Sequence, residues 1–346
     1  MIFSLASYLH TLDPVIFELG PIKPRWYGFA YLCGFLAAYV LLIKLARRGM
    51  LRLESKKVPD LVFFACLVGV LIGGRLGFVL FYQPRLLGFD DVFPYWGVLK
   101  VWQGGMSAHG GIVFTILALV FFAWRQRVST INLGDAAAMV VPLGLCFGRI
   151  ANFINGELYG RIVPNGSLPW AVKFPVELLN PTNDQFAVTE AQRTGLILDV
   201  ANNVPAFGKM IEAGQLNDVT AVQMITNLAG SGNAFAREAL MNVLPDRHPS
   251  QLYQAGLEGV LLFAIVWCVG WFWRKDGMAS GAFLTFYPIL RMIGEHYREG
   301  DSPQTIFGIT ASLGVWYSVP LVVGGLIYWG FFIARSQKRV WVAEKL

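Results

Sequence analysis

Charge is scarce in this sequence. Of 346 residues only 14% are Asp, Glu, Lys or Arg, where a soluble domain carries about 25%. Apolar residues make up 55%, and the mean hydropathy is +0.52. These values exclude an ordinary soluble domain and indicate a polytopic membrane protein. Cysteine is also sparse. The four, Cys33, Cys66, Cys146 and Cys268, lie inside apolar runs with neither metal-ligand nor disulfide-framework spacing. They read as small apolar residues of the interior. Carboxylates are few and show no metal spacing, so neither metal nor cofactor is expected. There is no internal repeat and no low-complexity tract. The net charge of +6 comes from scattered basic residues, not from a patch or motif, which argues against nucleic acid. The N-terminus lacks a cationic segment, and Asp13 and Glu18 precede the first apolar run. A cleaved signal peptide is therefore not expected, and the first span is retained.

Long apolar runs are what the chain does have. A membrane span needs about 20 mainly apolar residues. Runs at 26–46, 60–81, 109–124, 133–153, 251–273, 281–297 and 313–333 give seven candidates. Basic residues in short loops mark the cytoplasmic side. With the N-terminus outside, the inner segments hold Arg47, Arg48, Arg52, Lys56, Lys57, Arg125, Arg127, Arg274, Lys275, Arg335, Lys338, Arg339 and Lys345. The short outer segments hold only Lys23, Arg25, Arg85, Lys100 and Arg298. The expected architecture is an all-α polytopic membrane protein with seven helices, N-terminus outside and C-terminus cytoplasmic. It divides into a membrane region at 1–153, an extracytoplasmic region at 154–250 and a second membrane region at 251–346. Pro164, Pro169, Pro175 and Pro181, with Gly156, Gly160 and Gly166, suggest strands and turns early in the outer region. From 184 to 244 the pattern is helical and amphipathic, broken by Gly-Ser-Gly at 230–232, as in a cap or insertion.

Polar groups inside apolar runs are the informative residues, because ionisable side chains there are costly and usually functional. Residues 148–161 read GRIANFINGELYGR at the end of the fourth run. Arg149 and Asn152 share a helix face, and Asn155-Gly156 signals the helix end. Arg149 then lies ~9 Å below that end, near headgroup depth. A guanidinium there suits bidentate phosphate binding; the alternatives are snorkelling or a pair with Glu157. In the sixth run Tyr287, Arg291, Glu295 and Arg298 fall within ~80° of one another, although Arg291 and Glu295 could simply pair at i, i+4. His109 opens the third run within GGMSAHGG. It could take a proton near neutral pH, or it could only cap or pack. Arg75 in GGRLG reads equally as functional or structural. Trp26-Tyr27-Gly28 begins the first run as interfacial aromatics do, and HPSQLY at 248–253 leads into the fifth, with Ser250 near its N-cap. By topology these groups converge at the outer leaflet, where a cationic pocket suits an anionic phospholipid. An anionic-lipid transporter or channel is the rival reading, but internal repeats are lacking and the charge sits near one face. A non-enzymatic lipid-binding or assembly factor is a third.

The same residues closely resemble the prolipoprotein diacylglyceryl transferase family over nearly the whole chain. The resemblance rests on WYG at 26–28, GGRLGFVLFY at 73–82, WQGGMSAHGG at 102–111, GRIANFINGELYGR at 148–161, HPSQLY at 248–253 and RMIGEHYREGD at 291–301. It implies a bacterial cytoplasmic (inner) membrane enzyme with its active site on the periplasmic face. It implies transfer of an sn-1,2-diacylglyceryl group from phosphatidylglycerol to the lipobox cysteine of a prolipoprotein signal peptide. A thioether forms and glycerol 1-phosphate leaves. Such a reaction needs a thiol of pKa about 8.5 made into thiolate and fixed donors on the leaving phosphate. On this basis Arg149 and Arg291 hold the phosphate, and Asn152 and Asn155 hydrogen-bond the headgroup, with Gly160 in the same lipid-binding set. His109 is the base, with Glu295 as the alternative. Tyr27 and Tyr287 position lipid or thiol, while Glu157 and Glu295 orient the arginines. The chain departs from the family at Ala151, where Gly is usual, at Gln254, where Glu is common, and at Ala108, where an aromatic is frequent. Its outer region is also longer, so the resemblance says nothing about 184–244.

Overall fold

The computed structural model describes residues 7–20, 23–89, 91, 93–100, 104–164, 167–179, 188–299, 304–306 and 308–335. Trp102, Gln103, Gly166, Pro181, Gly300, Asp301 and the tail residues Lys338, Arg339 and Lys345 lie outside them, as do the first residues, 184–187, of the expected insertion. Short strands β1 (Tyr8–Leu9), β2 (Val172–Lys173), β3 (Gln304–Ile306) and β4 (Ile309–Ala311) punctuate a helical chain. The helices are α1 (Trp26–Arg47), α2 (Val58–Phe64), α3 (Gly74–Phe81), α4 (Ala108–Gln126), α5 (Thr130–Ile154), α6 (Glu190–Asn203), α7 (Pro205–Glu212), α8 (Asp218–Gly230), α9 (Ala234–Val243), α10 (Ser250–Gln254), α11 (Leu262–Trp273), α12 (Met278–Tyr297) and α13 (Leu313–Arg335). π-Helical stretches Ala65–Gly73 and Ala255–Leu261 join α2 to α3 and α10 to α11.

Among the described residues six helical stretches are long and apolar enough to cross a membrane: Trp26–Arg47, Ser55–Phe81, Ala108–Gln126, Thr130–Asn155, Ser250–Trp273 and Leu313–Arg335. The all-α polytopic expectation holds. The remaining expected span, 281–297, is a helix, α12, but with the polar residues Arg291, Glu295 and His296 it falls outside that apolar set. Large apolar side chains such as Leu32, Phe63, Ile112 and Ile327 are more than half exposed on the spanning helices. In water that would be costly; against acyl chains it is what a span requires.

The chain forms two compact units. The first comprises residues 1–31, 145–260 and 288–320. In it β1 pairs in parallel with β2, Tyr8 opposite Val172. Helices α6 to α9 close over an apolar core that includes Val200, Phe207, Ile225 and Leu240, each fully buried. The helix starts are capped locally. Thr189 and Gln192 form a capping box before α6, Asn217 and Thr220 another before α8, and Asn233 accepts from Ala236 N before α9. Each such cap contributes about 1 kcal/mol. Helix α8 ends at Gly230, so the Gly-Ser-Gly break falls where the sequence placed it.

The second unit comprises residues 32–144, 261–287 and 321–346. Close glycine packing sets α3 against α4. A Cβ on Gly77 would lie 2.5 Å from Gly110 Cα, so only glycine allows this approach. Towards the basic loops, Asn132 donates to Met50 O and accepts from Arg52 N. Asp135 accepts from the backbone of Gly277 and Ser280 and so fixes the start of α12.

Candidate functional site

Arg149 sits one and a half turns before the end of α5. That end is a Schellman motif: Glu157 N donates to Asn152 O and Gly156 N to Phe153 O, with Gly156 at φ +70°. The Asn-Gly pair read as a stop signal therefore does stop the helix. The Arg149 side chain is 12% exposed and pairs with Glu258, which is wholly buried. A single carboxylate oxygen, Oε2, accepts from Nε at 3.3 Å and Nη2 at 2.9 Å. One edge of the guanidinium is thus taken. Nη1 makes no hydrogen bond within the described residues, which leaves the other edge for a second, bidentate anion.

This corrects one expectation. Glu157 does not hold Arg149. It is exposed, accepts from Asn155 Nδ2 at 3.4 Å, and has its backbone carbonyl taken by Gln251 Nε2 at 2.6 Å. The physical reason is the Schellman turn, which carries residue 157 off the helix face that Arg149 shares with Asn152. Asn152 is 7% exposed. Glu258 lies in the π-helical stretch after HPSQLY. Four residues before it, Gln254 is also wholly buried, and neither amide atom has a hydrogen-bond partner. Its Cγ lies 2.8 Å from where a Cβ on Gly294 of α12 would stand.

Gly160 marks where three segments cross. Its N donates to His248 O at 3.0 Å, Arg161 N donates to Tyr297 O at 2.9 Å, and Glu299 N donates to Tyr159 O at 3.2 Å. A Cβ on Gly160 would lie 2.3 Å from His248 O and 2.7 Å from Tyr297 O. So GELYGR, HPSQLY and the end of α12 are stitched together by backbone. Arg247 locks the crossing. At 2% exposed it donates to Glu177 Oε2 (2.7 Å), Gly160 O (2.9 Å) and Glu299 Oε2 (3.0 Å), and it lies over the Tyr159 ring. Burial works against its charge, but the hydrogen bond and charge of Glu177 outweigh this and hold its pKa above the ordinary value. Arg247 was not singled out in the sequence, and neither was Glu258. The signal for Glu258 was present: a lone carboxylate within an apolar run.

Tyr287, Arg291 and Glu295 lie on α12, and Arg298 follows its last residue, Tyr297. Glu295 is 3% exposed and pairs with Arg298 at 3.5 Å. Gly314 packs on its carboxylate. Arg291 is half-buried one turn before Glu295. Tyr27, half-buried at the start of α1, meets Tyr31 edge-on with centroids 5.2 Å apart. The first unit therefore contains Tyr27, Arg149, Asn152, Asn155, Glu157, Gly160, Arg291 and Glu295. His109 and Tyr287 belong to the second. There His109 is exposed in the first turn of α4. Tyr287 stacks on Phe283 with an interplanar angle of 2°.

These features define a class: a polytopic α-helical membrane protein with a half-engaged arginine near the end of a spanning helix. The model of the family "Prolipoprotein diacylglyceryl transferase" matches residues 14–331. The phosphatidylglycerol–prolipoprotein diacylglyceryl transferase of Bdellovibrio bacteriovorus is 36% identical, over 92% of this chain and 92% of its own. That of Burkholderia multivorans is 37% identical, over 94% of this chain and 97% of its own. The chain belongs to the prolipoprotein diacylglyceryl transferase family.

Proposed function

We propose that this protein transfers the diacylglyceryl group of phosphatidylglycerol to the lipobox cysteine thiol of a prolipoprotein. The names of its relatives support the donor and the acceptor. The observation that carries the reading is the Arg149 guanidinium, fixed along one edge by a buried carboxylate while its other edge stays available. A cation so oriented can take a phosphodiester and stabilise the charge that grows on it as it leaves.

In this reading the thiol gives its proton to His109, with Glu295 as the alternative base. The thiolate attacks the glyceryl carbon bonded to the phosphate oxygen. A carbon–sulfur bond forms, the carbon–oxygen bond breaks, and its electron pair leaves on glycerol 1-phosphate. Arg149 and Arg291 bind the phosphate, and Asn152 and Asn155 hydrogen-bond the headgroup. Tyr27 and Tyr287 position lipid or thiol. Gly160 serves the site through the chain crossing, and Glu157 through the backbone that holds it. Seven spans with the N-terminus outside would set this chemistry at the outer face of the bacterial cytoplasmic membrane, where secreted preproteins emerge.

The test is to incubate the purified protein in phosphatidylglycerol vesicles with a lipobox peptide and follow products by mass spectrometry. Thioether-linked peptide and free glycerol phosphate are expected, and neither with His109→Asn. Lipid movement across the bilayer without thioether would identify a transporter instead. Lipid binding alone would identify an assembly factor.

A further inference from the structure

One buried cation has no part in the chemistry just described. Arg75, in α3, is 4% exposed. Its guanidinium makes five hydrogen bonds, all to backbone carbonyls. Nε donates to Val98 O at 2.8 Å. Nη1 donates to Gly104 O at 2.6 Å and Gly105 O at 3.1 Å. Nη2 donates to Gly97 O at 2.9 Å and Lys100 O at 3.2 Å. An arginine has five N–H groups, so every donor is engaged. No ion pair to Arg75 occurs among the described residues. Carbonyl dipoles, with the Phe78 ring 5.7 Å from Cζ, balance its charge.

The carbonyls it gathers belong to the segment that leads to His109. Gly104 and Gly105 hold φ of +81° and +85°, the conformation that only glycine adopts freely. That conformation brings both carbonyls to one nitrogen. Gly105 also lies flat on Phe78, where a Cβ would fall 2.3 Å from the ring. Two residues on, Ser107 N donates to Gly74 O at 2.8 Å, next to Arg75 in sequence. Ser107 then caps α4 by accepting from Gly110 N at 3.2 Å, and Gly110 is the residue packed on Gly77. The residues on both sides of His109 are therefore pinned to α3, while His109 itself stays exposed.

We infer that Arg75 is the positioning residue of His109: it gathers the carbonyls of Gly97, Val98, Lys100, Gly104 and Gly105 so that α4 begins at one fixed place and angle. The inference rests on His109 being the base. Arginine is needed because the fork reaches two separate stretches of backbone at once; a lysine has three donors on one point. Arg75 acts through His109 and touches no substrate, so its loss should appear in turnover and not in lipid affinity.

The experiment compares the full-length protein with Arg75→Ala, Arg75→Lys and His109→Asn in phosphatidylglycerol vesicles. It reads kcat, the KM for phosphatidylglycerol and rescue by added guanidinium below denaturing concentration. Misplacing a reacting group by about 1 Å costs ~100-fold in rate. Arg75→Ala should therefore lose roughly that much kcat, with KM within about threefold and partial recovery of kcat in guanidinium. Arg75→Lys should fold and still lose turnover. Guanidinium should do nothing for His109→Asn. Wild-type kcat in Arg75→Ala, a loss confined to KM, or folded Arg75→Ala that guanidinium does not help would each overturn the inference. If Arg75→Ala does not accumulate, Arg75→Lys decides: wild-type kcat, or failure to accumulate as well, overturns it. Full turnover in His109→Asn would defeat the base assignment itself. An inactive His109→Asn beside a fully active Arg75→Ala would defeat this inference alone.

Discussion

Removing the Glu258 carboxylate tests what holds Arg149. Glu258 is fully buried and its partner only 12% exposed, so water screens the pair little. Breaking a buried ion pair from one side costs ~3–5 kcal/mol, because the remaining charge is stranded. In Glu258→Ala that cost has two outlets. The guanidinium can stay and the fold loses stability, or it can swing towards its exposed side and the fixed edge is lost. In the second case kcat/KM falls by about two to four decades, at 1.36 kcal/mol per decade. Glu258→Gln keeps an oxygen for Nε and Nη2 but not its charge. It should lose about one decade, since a hydrogen bond between charged groups is worth roughly twice a neutral one. The assay is thioether formation in vesicles beside unfolding in detergent. A double-mutant cycle with Arg149→Met supplies the coupling energy. Coupling to Glu258 should reach ~2 kcal/mol, whereas coupling to Glu157 should stay within ~0.5 kcal/mol. The opposite ranking would refute the assignment, and with it the claim that one edge of Arg149 is already occupied.

Arg149→Lys should abolish transfer, because a point charge cannot serve a carboxylate on one edge and a phosphate on the other; near-full activity would remove the phosphate-clamp role. Gly160→Ala should destabilise the protein by ~1–3 kcal/mol, since its Cβ would fall 2.3 Å from His248 O and backbone must shift to admit it; an unchanged unfolding midpoint would mean that the crossing yields. Gln254→Met should raise the unfolding midpoint, because it removes two buried amide atoms that have no partner; a lower midpoint would show that the amide is satisfied in the working protein. Stability should fall on acidification. Burial lowers the pKa of His10 from 6.5, against the bond its Nε2 donates to Phe153 O at 2.6 Å. Burial, then the charge of His296, lowers that of His248. The unfolded chain then takes up protons first, so this stability is present above about pH 6.5 and lost below it. His10→Gln should flatten the loss in midpoint between about pH 7.5 and pH 5.5, and an unaltered slope would exonerate His10.

What could be read in advance follows the range of each interaction. Length and hydropathy together mark six of the seven expected runs as long and apolar enough to span, and 281–297 is the exception. The Asn155-Gly156 stop is complete within a few residues, and the structure has it. Glu258 was missed because its partner is 109 residues away. Glu157, nearer in sequence, looked like the natural acid for Arg149, but a Schellman turn reverses the chain between them. β1 was missed because a pair of two-residue strands 164 positions apart, Tyr8 with Val172, leaves no periodicity.

Three arginines within apolar runs show why spacing identifies a cation but not its work. Arg75, Arg149 and Arg291 look alike in sequence, each flanked by apolar residues. Arg75 spends all five donors on carbonyls, and carbonyls are the one partner that leaves no mark in a sequence. Arg149 spends one edge on a single carboxylate oxygen and keeps the other. The first pattern is saturated and can only shape backbone. The second is half-saturated, and a buried guanidinium held that way gains most from a bidentate anion. Donor saturation, not depth or charge, separates the arginine that builds from the arginine that binds.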